Sequence, residues 1–135
     1  MQLNITTDYA IRIILALAKK EGEVVSSKDI SLTMKIPQKY VLKITRSLVA
    51  ANLIERRSGV YGGFLLARDP NEITLLEIIK VMEPTIKLNR CLEDDAFCSR
   101  TAINICPVRS FYDNFQKIFE DNFSKIAISQ LINDK

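Results

Sequence analysis

From Ala10 onward, Ala10, Ile13, Ile14, Leu17 and Ala18 recur every three or four residues, the period of one buried helix face. Thr6 and Thr7 precede them, and a hydroxyl there would accept from a free backbone N–H, so a first helix is expected to run to about Lys20. Glu21-Gly-Glu breaks it. Ser26 or Ser27 opens a second helix, Lys28 to about Met34, with Ile30 and Met34 turned inward. After a turn at Lys35-Ile36, Pro37 stands at the first position of a third helix, where its missing N–H costs nothing. Tyr40, Val41, Ile44, Leu48 and Ala51 mark the buried face of that helix, and Gln38, Lys39, Lys43 and Arg46 its outward face. Two short helices joined by a tight turn, the second basic outside, make a helix-turn-helix pattern.

The pattern then changes. Leu53 to Arg57 and Phe64 to Ala67 read as strands around Ser58-Gly-Val-Tyr-Gly-Gly63, whose glycines suit a hairpin loop, so a wing is expected. Asp69-Pro70 closes it. Thr74 caps a helix through Leu75, Ile78, Ile79 and Met82, which Glu83-Pro84 stops. From Lys87 to Pro107 neither period holds, and Val108 to Leu131 then reads as one long helix. Its wide stripe of Phe111, Tyr112, Phe115, Ile118, Phe119, Phe123 and Ile126 exceeds what a small domain can cover, which calls for a second copy of the chain. The expected fold is mainly α: a winged helix-turn-helix domain over residues 1–84, a cysteine-containing loop over 85–107, and a dimerisation helix with its tail over 108–135.

Charge sharpens this picture. Residues 1–69 hold 11 Lys/Arg against 6 Asp/Glu, whereas residues 70–135 hold 8 against 10. The helix-turn-helix half is the basic one, as a polyanionic partner requires. Double-stranded DNA is the expected partner, bound as a homodimer, with Ser27, Lys28, Gln38, Lys39, Tyr40 and Lys43 near the duplex and Arg57, Ser58 and Tyr61 on the wing. The opening residues carry no basic n-region, and the apolar run Ala10 to Ala18 is interrupted by Arg12 and too short to span a bilayer, so a cytoplasmic protein without a membrane partner is expected.

All three cysteines fall in the non-periodic segment, as Cys91-x6-Cys98-x7-Cys106 among Glu93, Asp94, Asp95, Arg100 and Asn104. A lone cysteine is usually a small buried apolar residue, but this setting is polar, so metal or redox use competes with burial. Zinc favours close Cys pairs and four N/S ligands, and the chain has neither CxxC nor any histidine. Three thiolates plus one further ligand suit an iron-sulfur cluster. The missing histidine also removes the commonest general base, and no Gly-rich phosphate loop or nucleophile-base pair is present, so neither an enzyme nor a small-molecule substrate is expected.

The opening Met1-Gln2-Leu3 with Thr7-Asp8-Tyr9-Ala10, the wing stretch Arg57-Ser-Gly-Val-Tyr-Gly-Gly-Phe64-Leu-Leu-Ala-Arg68-Asp-Pro70, and Ile73-Thr-Leu-Leu-Glu-Ile-Ile79 resemble the IscR/NsrR/CymR superfamily of bacterial winged-helix regulators over nearly the whole chain. The resemblance implies a transcriptional regulator, a repressor, with Cys91, Cys98 and Cys106 holding a [4Fe-4S] or [2Fe-2S] cluster that switches operator affinity in response to nitric oxide, redox state or iron-sulfur status. IscR-like members use a histidine after the third cysteine, which this chain lacks. NsrR-like members use an aspartate of the first helix from the partner subunit, which implies Asp8 here. The spacing of the cysteines is longer than in either group. The alternative within the same fold is a cluster-free thiol or cysteine-metabolism regulator of the CymR kind.

Overall fold

A computed structural model describes residues 2–132, so Met1 and the tail beyond Ile132 lie outside the described residues. The order is α1 (Ile5–Lys19), α2 (Ser27–Met34), α3 (Gln38–Ala50), β1 (Ile54–Arg57), β2 (Gly63–Leu66), α4 (Leu75–Met82), a short 3-10 turn (Arg90–Leu92), α5 (Pro107–Ser124) and α6 (Ile128–Ile132). This is a mainly helical winged helix with a two-stranded antiparallel wing, in which Ile54 pairs with Leu66 and Arg57 with Gly63.

Local chemistry accounts for most boundaries. Ser26 Oγ accepts from the Asp29 amide and Thr74 Oγ1 from that of Glu77, so two orphan donors are satisfied where α2 and α4 begin. Lys35 closes α2 in the left-handed region at φ 55°, turning the chain sharply into Pro37 and α3. The start of α1 corrects the expectation. Its N-cap is Asn4, whose carbonyl accepts from the Thr7 and Asp8 amides, while its backbone N–H and Nδ2 donate to the Glu83 carboxylate at 2.9 and 2.6 Å. Thr7 is fully buried and caps nothing.

The core joins Ile13, Ile14 and Leu17 of α1 to Ile30, Ile44, Leu48, Ile54, Ile78 and, from the far end of the chain, Ile128. That last residue exposes a second correction: the long helix is two. Near the end of α5, Asn122 Nδ2 and Ser124 Oγ donate back to main-chain carbonyls, a side-chain competition that weakens helix continuation. The chain then bridges to the start of α4, with the Leu75 amide donating to Ile126 and the Ile128 amide to Ile73. The helix α6 thereby returns to the winged-helix core.

Candidate nucleic-acid interface and thiol cavity

The backbone first fixes the wing against the helix-turn-helix. Val25, just before α2, exchanges two 2.8 Å hydrogen bonds with Phe64 of β2. Gly63 is required by this approach, since a Cβ there would lie 2.2 Å from the Val25 carbonyl oxygen. The N-terminus of α2 is thus tied to the wing. Between them and α3 lies an open groove of about 550 Å³, lined by Ser26, Ser27, Leu42, Thr45, Arg46, Val49, Arg56, Arg57 and Ser58.

The residues named from sequence divide between this groove and its surroundings. Ser27, Arg57 and Ser58 line it, and Gln38, at the start of α3, donates through Nε2 to Ser27 Oγ at 3.2 Å. Lys28, Lys39 and Lys43 are exposed, and Lys43 lines a separate hollow with Thr6, Val81 and Met82 rather than the groove. Tyr40 is half-buried against α1, its ring 5.7 Å from that of Tyr9 and its centroid 5.3 Å from the Lys39 ammonium. Tyr61 stands at the wing tip, 93% exposed beside Val60, and does not line the groove. Arg57 is ion-paired with Glu55 at 3.0 Å.

Other groove residues are not among the DNA contacts expected from sequence, Arg46, Arg56 and Leu42 chief among them. Arg46 is expected on the outward face of α3 and Arg56 on the first wing strand, but their convergence depends on how the wing folds across α3, which no local pattern encodes. Leu42 is an exposed aliphatic residue on the otherwise polar outer face of α3.

The second site lies at the base of α5. Cys91, buried on the 3-10 turn, Cys98, and Cys106, the N-cap of α5, all line one cavity of about 360 Å³ with Phe97, Ile103, Val108, Tyr112 and the three arginines Arg90, Arg100 and Arg109. Asn89 Nδ2 donates to the Cys91 sulfur at 3.4 Å and the Arg109 amide to that of Cys106 at 3.5 Å. Backbone N–H groups of Ala102 and Arg100 hold the Cys98 thiol below its ordinary pKa. Arg109 Nε also donates to the Cys91 carbonyl at 3.1 Å, fastening the turn to α5.

Neither the nearby carboxylates nor Asp8 line the cavity. Asp95 is ion-paired with Arg90, whose hydrogen bond draws its carboxyl below the usual range, and Glu93 accepts from Thr85. Asp8, in the first turn of α1, pairs with Arg12 at 2.7 Å. Among the described residues no three His, Cys, Asp or Glu side chains are close enough to hold a metal ion. The donors nevertheless suit a cluster: three thiols face one cavity, N–H groups point at their sulfurs, and a cationic rim offsets thiolate charge. A cluster distributes its thiolates over several irons, so it does not ask them to crowd one ion.

The comparisons with known proteins point one way. Residues 3–134 match the Rrf2 family, described as iron-dependent transcriptional regulators. A putative HTH-type transcriptional regulator of Aquifex aeolicus is 30% identical over 128 residues, covering 95% of this chain and 89% of that one. The regulator NsrR of Shouchella clausii is 36% identical over 92 residues, 67% of this chain and 62% of that one. CymR of Bacillus subtilis is 34% identical over 96 residues, 70% of each chain, and the solved structure of this global cysteine regulator superposes with a TM-score of 0.80 at 25% identity, covering 98% of this chain and 96% of that one. With its winged helix, basic groove and near-complete family match, the chain belongs to the Rrf2 family of DNA-binding transcriptional regulators.

Proposed function

We propose that this chain is a homodimeric repressor that places α3 in adjacent major grooves of a roughly two-fold operator and lets the state of Cys91, Cys98 and Cys106 set its affinity. The observation that carries the switch is the convergence of all three thiols on one cavity with an arginine rim, at the junction of the 3-10 turn and α5. A bound iron-sulfur cluster, with the partner subunit's Asp8 as fourth ligand, would supply a redox- and nitric-oxide-reactive centre there.

The chain's own residues connect that cavity to the reading head. Gln116, the one buried side chain of α5, donates through Nε2 to the Ile86 carbonyl and accepts from the Leu88 amide, holding the start of the thiol segment. Glu120 lies 3.7 Å from both Lys80 of α4 and Lys87. The far end of α4 is tied to the start of α1 through Glu83 and Asn4. Movement of the thiol segment would therefore load α4 and α1, against which α3 packs.

A second reading is a cluster-free thiol sensor. The lowered Cys98 thiol favours it, as does the likeness to CymR. Anaerobic reconstitution with iron and sulfide separates the two. The cluster reading expects a visible charge-transfer band that Cys106→Ala loses; protein that stays colourless favours the thiol sensor.

A further inference from the structure

Leu42 is 46% exposed and lies outside the hydrophobic core, although it occupies the middle of the basic face of α3. A scattered surface leucine is ordinarily unremarked. Here its helical neighbours one turn away are Gln38 and Lys39 on one side and Arg46 on the other, with Lys43 adjacent. Beneath it Thr45 commits its hydroxyl to the Val41 and Leu42 carbonyls, at 2.7 and 3.1 Å, and Val49 lines the same groove, so the local floor is apolar.

Of the polar side chains around it, Arg46 alone carries the planar fork that reads a guanine bidentately, Gln38 places Nε2 against Ser27 Oγ, and Lys39 and Lys43 are point charges. None of these groups reads an apolar base edge. One base-pair feature of the major groove is apolar, the thymine 5-methyl group. We infer that Leu42 reads a thymine: its exposed aliphatic side chain, ringed by Gln38, Lys39, Lys43 and Arg46 on the outer face of α3, packs against that methyl group in the operator. This rests on the reading that α3 enters the major groove.

The probe is a duplex recovered from a random pool by the full-length protein, with each thymine replaced in turn by deoxyuridine, which removes the methyl alone. At one thymine per half-site, wild-type affinity is expected to fall about fourfold, the ratio that burial of one methyl-sized group supports. Leu42→Ala, which leaves the core untouched, should bind the thymine and deoxyuridine duplexes alike and weaker than wild type. Wild-type indifference to every replacement overturns the inference, as do equal losses in wild type and Leu42→Ala. Arg46→Ala, which alters the exposed cation lining the groove with Leu42, tests the reading beneath: unchanged affinity and salt dependence there would remove α3 from the major groove and the inference with it, whereas a clear loss alongside deoxyuridine indifference removes the role of Leu42 alone.

Discussion

The winged-helix head and the α5 arm are built on opposite principles. In the head, Ile13, Ile14, Ile30, Ile44, Leu48, Ile54 and Ile78 are almost wholly withdrawn from solvent. In α5, eighteen residues long, Gln116 alone is buried, while Val108, Phe111, Phe115 and Ile118 form an exposed row with Phe111 at 75%. The spacing of that row, three then four then three, is the seam of a helix that meets another helix. Folding energy thus resides in the head, and the arm leaves its apolar face open for the proposed dimerisation.

Breaking the head should have the largest effect. Leu48→Ala removes a fully buried side chain that α3 contributes to the core, and a loss of about 2–5 kcal/mol is expected in denaturant unfolding. Ile128→Ala sharpens the boundary, because α6 is remote in sequence yet belongs to the head; a similar loss is expected, and a neutral result would return α6 to the arm. In contrast, Phe115→Asp should leave the unfolding midpoint of the monomer nearly unchanged while weakening self-association by at least about thirtyfold in sedimentation, as loss of a central apolar anchor does. A dimer indifferent to this change would contradict the assignment of the exposed row.

Smaller effects probe the connection between the two regions. Gln116→Ala should cost about 1–3 kcal/mol by leaving the Leu88 amide without its acceptor, and hydrogen exchange at Leu88 should accelerate while the amides of α1 stay protected. In the cluster-free protein, alkylation should be fastest at Cys98, which is half-exposed and held toward the thiolate by backbone N–H groups, and slowest at buried Cys91. Equal rates would mean that the thiol segment has no fixed structure.

The same contrast explains what could be read from sequence. The head was legible because its signals are local: Ser26 and Thr74 cap the helices they precede, Pro37 marks the start of α3 although it is the N-cap rather than the first helical residue, and Gly59 and Gly62 fall between two short strands, the second of which begins at Gly63. Thr7 misled because its position resembles a cap, whereas Asn4, held by Glu83 seventy-nine residues away, defines the start of α1. The stripe of α5 read as continuous to Leu131 because Phe119, Phe123 and Ile126 keep the helical period, whereas the chain breaks after Ser124 and bridges back to α4 between Thr74 and Ala127. The aromatic residues also have unlike fates: Phe119 and Phe123 pair at 4.5 Å, Tyr112 lines the thiol cavity, and Phe111 and Phe115 stay outside. The three cysteines could be grouped by their loop, but their shared cavity depends on Arg109 fastening the 3-10 turn to α5.

The claim that joins head and arm is that thiol chemistry in the arm governs DNA affinity in the head. Its most direct measurement is the salt-controlled affinity of full-length protein for a pool-selected duplex, compared between iron- and sulfide-reconstituted protein, cluster-free protein and Cys106→Ala put through the same reconstitution. The account predicts at least about a tenfold difference between reconstituted and cluster-free wild type, within the usual range of coupling free energies, and no response in Cys106→Ala. Equal affinities for the two wild-type forms, with the visible band present in the first, would contradict it.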